Sequence, residues 1–98
     1  MLTIAQIKVL AAVLSDAEIM DHIAQMTDTL NGMTYQEQAT RGGGAESLKI
    51  ARAGLYAVLD DRYPWLDPIL ETWLNDDDDT RPMPQVYADA LTAEYVLV

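Results

Sequence analysis

Apolar residues recur at helical spacing along nearly the whole chain, and residues that stop helices interrupt them at short intervals. This combination constrains the fold more than any other feature, because it specifies several short helices rather than one long one. Ile4, Ile7, Ala11 and Leu14 fall at heptad-like positions, with Leu10 and Val13 widening the stripe, and predict a helix over about 4–14. Ser15-Asp16-Ala17-Glu18 matches a capping box, in which Ser15 accepts from an early backbone N–H and Glu18 reaches back. Ile19, Ile23, Met26 and Leu30 then form a second stripe. Asn31-Gly32 ends it, since glycine tolerates the left-handed conformation just past a helix. So short a join between 4–14 and 16–30 predicts an antiparallel pair or a single bent rod.

Residues 33–44 are the least regular part of the chain. Met33 to Thr40 fits an extended arm or a short helix, and Arg41-Gly42-Gly43-Gly44 is a break, because each glycine costs about 1 kcal/mol inside a helix. A third helix is predicted over about 45–59, burying Leu48, Ala51, Leu55, Val58 and Leu59. Its small residues (Ala51, Ala53, Gly54, Ala57) suit close approach of another backbone. Tyr63-Pro64-Trp65 reads as a turn, and Asp67-Pro68 as an N-cap followed by proline at the first helical position. That fourth helix runs to about Asn75. Asp76–Asp79 with Thr80 to Pro84 reads as a loop, where like charges repel and prolines exclude regular structure. A fifth helix from Pro84 to about Tyr95 presents Tyr87, Ala90, Leu91 and Tyr95, and the apolar end Val96-Leu97-Val98 is expected to be buried or paired.

The 98 residues suffice for a single domain with a modest core, and at this size oligomerisation is a natural source of added stability. Half the chain is hydrophobic but contains no Phe; Leu, Ile, Val, Ala and Met supply a vocabulary of packed helices. The absence of cysteine excludes a disulfide framework and fits a reducing cytoplasm. No apolar run reaches the roughly 20 residues a membrane span needs, and residues 1–8 do not read as a signal peptide.

The charge is concentrated. Between Asp60 and Asp79 eight carboxylates face one cation, Arg62, so this stretch holds most of the formal net charge of −10. It is interleaved with Trp65, Leu66, Ile69, Leu70, Trp73 and Leu74, which marks it as part of a folded element. Asp67 and Glu71 are spaced i, i+4 and share a helix face. Asp60 and Asp61 close the preceding helix, where negative charge opposes the helix dipole. Such an acidity argues against direct binding of nucleic acid and against anionic membranes, and for a basic partner. A carboxylate ridge spaced by helix geometry can stand in for a phosphate backbone in a basic groove. In size and charge the chain is similar to small proteins that inhibit nucleic-acid-binding enzymes by such mimicry, some phage-encoded anti-defence proteins among them. The similarity is one of type, with no shared residue motif.

Other chemistries find less support. The Asp76–Asp79 run lacks the glycine and the distal glutamate of an EF-hand calcium loop. His22, the one histidine, has no ligand set for zinc, and neither Ser15 nor Ser47 sits in a nucleophile elbow. Asp60/Asp61 and Asp67/Glu71 could act as an acid–base pair only in a cleft, for which a bundle this small leaves little room. Arg41, Gly42, Gly43 and Gly44 lead into a helix start with Lys49 and Arg52 in its next turns, an arrangement that could hold an anion such as a nucleotide. It is neither a P-loop nor a dinucleotide fingerprint, and a flexible hinge is the preferred reading of it. This basic 41–52 segment could also meet the acidic 60–79 surface of another copy, head to tail.

The expectation is therefore an all-α bundle of four to five short helices with an irregular Gly-rich segment. Its function is expected to be a non-enzymatic interaction module, without cofactor or metal. Asp60, Asp61, Asp67, Glu71 and Asp76, Asp77, Asp78 and Asp79, with Trp65 and Trp73, would dock on a basic, nucleic-acid-binding protein. The alternatives are a self-assembling structural or adaptor subunit and a small-anion binder at Gly42–Gly44.

Overall fold

A computed structural model of the chain describes residues 2–34, 36 and 44–94. Among them the backbone is all-α, with no strand. Its helices are α1 (Ile4–Ala11), α2 (Asp16–Gly32), α3 (Ala45–Arg62), α4 (Leu66–Leu74) and α5 (Met83–Ala93). The predicted small helical bundle is what forms. Tyr95, the apolar Val96 to Val98, and the segment from 37 to 43 with Arg41, Gly42 and Gly43 lie outside the described residues.

α3 is the axis of the bundle. α1 and α2 each make their most extensive contacts with it, while α5 packs on α4 and α2. Ile19 and Ile23 of α2, Leu59 of α3 and Leu91 of α5 are fully buried, with Leu66 and Tyr87 closing the same core. Each such side chain withdrawn from water contributes about 1.5–3 kcal/mol before entropy is counted. The predicted second stripe holds, with Met26 only half-buried.

α1 departs from expectation. It ends at Ala11 rather than 14, and of its stripe only Ile7 and Ala11 are buried. Leu14 is half-buried, Ile4 is 45% exposed, and Leu10 and Val13 are 63% and 87% exposed. A helix that crosses one neighbour can bury only a narrow strip, so the widening residues face outward. The crossing occurs at Gly54, where an added Cβ would stand 2.5 Å from Ile7 Cγ2 and 3.5 Å from the Ile4 carbonyl oxygen. The small-residue face of α3 thus admits another backbone, as its composition predicted.

α1 and α2 both pack on α3, and each contacts it far more extensively than they contact one another. Arg62 at the end of α3 holds the join between them. Its guanidinium donates to Asp16 Oδ1 at 2.8 Å and to the carbonyls of Ala12 and Leu14 at 3.1 and 2.7 Å. The Tyr63 hydroxyl donates to the other Asp16 oxygen at 2.6 Å.

The capping box at Ser15 and Glu18 is present, and a second one, from Thr3 to Gln6, opens α1. Gly32 corrects the reading of the α2 terminus: it is the last helical residue, and among the described glycines only Gly44 has positive φ. Gly44, at φ 93°, is the N-cap of α3. α3 then continues to Arg62, past the predicted 59, with Leu48 and Ala51 half-buried. Asp67 is not an N-cap. α4 begins at Leu66 after a turn closed by Leu66 N–H on the Tyr63 carbonyl, so Asp67 and Pro68 lie inside its first turn. Proline is tolerated there because first-turn N–H groups have no intrahelical partner. No described helix is long and apolar enough to cross a membrane.

Candidate functional site

The acidic stretch, continuous in sequence, is divided by the fold. Asp60 and Asp61 sit in the last turn of α3 and point to different neighbours. Asp60 is half-buried and accepts from the Tyr87 hydroxyl at 2.8 Å; Asp61 pairs with Lys8 of α1. Burial pushes the Asp60 carboxyl above its ordinary range, the Tyr87 hydrogen bond pulls it back, and the charges of Asp67 and Asp61 raise it further. The unfavourable helix-dipole position of these two acids is thus offset by specific partners within the fold.

Asp79 is also engaged. Arg81 forks onto it, with Nε to Oδ1 at 2.9 Å and Nη2 to Oδ2 at 2.6 Å, and reaches Asp89 Oδ2 with Nη1 at 3.0 Å. These bonds hold both carboxyls below the usual range, through the Arg81 hydrogen bond first in each case.

Asp67, Glu71, Asp76, Asp77 and Asp78 remain. All five are exposed, and none forms an ion pair among the described residues. They follow the outer side of α4 and the turn after it, with Ile69 and Leu74 exposed at 37% and 72% among them. The turn is locally ordered by Asp78 N–H donating to Asp76 Oδ1 at 3.1 Å. The tryptophans support this edge rather than crown it. Trp65 is half-buried on the core with its ring 5.5 Å from that of Tyr63, and Trp73 donates from Nε1 to the Arg81 carbonyl at 2.9 Å. Trp73 thereby pins the loop to α4.

A second feature lies between α2, α3 and the start of α5, where a cavity of about 530 Å³ opens. Lys49, Arg52, Tyr56 and Asp60 of α3 line one wall in succession, with Tyr87 and Met83 of α5 opposite. The Tyr56 and Tyr87 rings lie 4.5 Å apart at 45°. Burial pushes the Tyr56 hydroxyl up to about 12, and burial followed by the Asp60 carboxylate raises that of Tyr87 further. Both phenols therefore stay protonated through the physiological range.

Of the basic 41–52 segment, Lys49 and Arg52 lie in the first turns of α3 and line the cavity wall, and Arg41, Gly42 and Gly43 fall outside the described residues. His22 is exposed on α2. Among the described residues no group of three or more His, Asp or Glu is placed to hold a metal ion.

Tyr56, Tyr87 and Arg81 were not singled out as site residues from sequence. A signal for the first existed: Lys49, Arg52, Tyr56 and Asp60 are spaced i, i+3, i+7 and i+11, one face of a helix. Comparison with protein-family models, with curated proteins and with solved structures gave no significant match.

Proposed function

We propose that the protein is a non-enzymatic, cytoplasmic interaction module whose α4 edge docks on a basic partner. The observation that carries this reading is the α4 edge itself: five exposed carboxylates without an ion-pair partner among the described residues, interspersed with exposed Ile69 and Leu74. Carboxylates in this arrangement steer a cationic surface into place, and apolar side chains among them supply the short-range contact that charge alone does not. The docking set is narrower than the sequence suggests, being Asp67, Glu71, Asp76, Asp77 and Asp78. The form of this function that makes the sharpest demand is inhibition, with the acidic edge occupying a nucleic-acid-binding groove.

The test is capture from a lysate by the immobilised chain, followed by elution with a double-stranded oligonucleotide. Basic nucleic-acid-binding proteins should be retained, released by the oligonucleotide, and lost when Asp76, Asp77 and Asp78 become Asn or Leu74 becomes Ser. Retention that survives both changes, or that the oligonucleotide does not compete, overturns the reading.

A second reading, self-association, is favoured by the outward face of α1, where Val9, Leu10 and Val13 are 75%, 63% and 87% exposed. Residues 2–14 contain one charge, Lys8, and no carboxylate. In a chain of net charge −10 this is the face on which two copies approach with least repulsion. Light scattering after size exclusion should then show a dimer that strengthens with salt, because salt screens the repulsion, and that Val13→Glu abolishes. A monomer at every salt concentration rejects it. The head-to-tail contact between segments 41–52 and 60–79 predicts the opposite salt dependence.

A further inference from the structure

The cavity between α2, α3 and α5 carries groups that the interaction reading leaves unused. We propose that it binds a small molecule with a phosphate at one end and a planar, hydrogen-bond-donating ring at the other, of which a nucleoside monophosphate is the simplest. The phosphate end is defined by Lys49 and Arg52. Among the described cations, Lys8, Arg62 and Arg81 are all ion-paired, whereas Lys49 and Arg52 have no carboxylate partner among the described residues. Arg52 is half-buried and uses one of its five N–H donors on Thr27 Oγ1, at 3.2 Å. In a chain with 16 acids, leaving two adjacent cations unpaired on one wall of a cavity concentrates the local positive potential there. A guanidinium with free donors beside an ammonium is the arrangement that phosphate accepts from.

Tyr56 supplies an independent observation. The residue is only 6% exposed, and its hydroxyl makes no hydrogen bond among the described residues. That hydroxyl is nevertheless not sealed away, since no described side-chain polar atom is both fully buried and unpartnered. It therefore opens on the cavity it lines. A hydroxyl that emerges from an otherwise buried residue only into a cavity takes its hydrogen bond from what fills that cavity, a ligand atom or a water. The Tyr56 and Tyr87 rings pack on each other 4.5 Å apart and form part of the floor of the cavity, beneath the place where the planar part of a ligand would lie.

Asp60 defines the opposite end. Its Oδ1 accepts from Tyr87, and Oδ2 has no hydrogen-bond partner among the described residues, leaving it able to accept from a ring N–H or exocyclic amine. The same carboxylate repels a phosphate, so the ligand enters in one orientation. Eight residues of helix separate Arg52 from Asp60, about 12 Å of rise, which is the length of an extended mononucleotide. A volume of about 530 Å³ lies within the range of small-ligand sites, about 300–1,000 Å³.

Calorimetry on the full chain with AMP, GMP, CMP, UMP and inorganic phosphate tests this. At least one mononucleotide should bind at least about tenfold more tightly than phosphate. Lys49→Gln and Arg52→Gln should each weaken it by a similar factor. Asp60→Asn keeps an acceptor for Tyr87; it should weaken the mononucleotide without weakening phosphate. Lys49 is exposed, so its variant reports binding even if Arg52→Gln impairs folding. The proposal is overturned if no mononucleotide binds at millimolar concentration, if phosphate alone binds as well, or if Lys49→Gln leaves binding intact.

Discussion

Ile7 of α1 lies so close to Gly54 of α3 that a methyl group at position 54 would stand 2.5 Å from Ile7 Cγ2 and 2.8 Å from its Cβ. Glycine inside an α-helix normally costs about 1 kcal/mol relative to alanine. Here the contact reverses the sign, because Ile7 is 8% exposed and cannot swing clear without leaving α3. Gly54→Ala should lower stability by about 1–3 kcal/mol by urea unfolding. The same change should cost less in an Ile7→Ala background, where Cγ2 is gone and only the Cβ contact remains; equal costs in both backgrounds would show that the Cγ2 contact does not set the constraint.

Arg62 ties α3 to the turn between α1 and α2 through Asp16 and two carbonyls. Arg62→Ala leaves Asp16 with only Tyr63 and strands both carbonyl oxygens. Thermal or urea unfolding should show a loss of about 2–3 kcal/mol, while Tyr63→Phe, which removes one hydrogen bond, should cost about 1 kcal/mol.

Asp60 and Tyr87 give a pair of substitutions with different outcomes. Asp60→Asn keeps an acceptor for the Tyr87 hydroxyl and relieves the burial of charge, so at neutral pH stability should change by no more than about 0.5 kcal/mol. Asp60→Ala leaves that hydroxyl without its partner and should cost about 1–3 kcal/mol. Because the folded-state pKa of Asp60 is raised, its own titration stabilises the fold below the ordinary carboxylate value of about 4. That contribution is lost as pH rises through the raised value, so wild type should gain on Asp60→Asn as the solution is acidified.

Arg81 has the opposite pH signature. Asp79 and Asp89 are held below their ordinary values, so the stability they contribute is present above a pH of about 4 and disappears as pH falls through the lowered values. Arg81→Gln should therefore lower Tm at neutral pH and shrink the further fall on acidification. A Tm that drops in parallel with wild type through the acid range would show that the fork carries no stability.

The two capping boxes rank differently. Ser15→Ala should destabilise the protein by about 1 kcal/mol, since α2 carries Ile19 and Ile23 into the core. Thr3→Ala should cost less in global unfolding, because α1 contributes only Ile7 and Ala11. A larger effect from Thr3→Ala would mean that α1 docks before or with α2.

Much of the fold was legible in the chain. The α2 stripe, the Ser15–Glu18 box, the Gly54 contact face and the Tyr63–Trp65 turn depend on neighbours within a few residues, and local stereochemistry is written in local sequence. The α1 stripe was misread because its width depends on how many helices flank it. The same limit applied to Asp67, whose spacing resembles an N-cap but which lies one residue inside α4.

For the candidate site the division is sharper. The chain's own residues specify that negative charge gathers between 60 and 79, that Lys49 and Arg52 fall in the first turns of the third helix, and that the elements are helical. Which carboxylates remain free among the described residues depends on packing. Packing α1 on α3 gave Asp61 a lysine, packing α5 on α4 and α2 brought Tyr87 within reach of Asp60, and the loop before α5 gave Asp79 an arginine. Each partner comes from at least two positions away in the chain and in most cases from another helix, and whether a charge finds one depends on relative helix orientation. That orientation follows from core packing summed over the whole bundle, which no local spacing encodes.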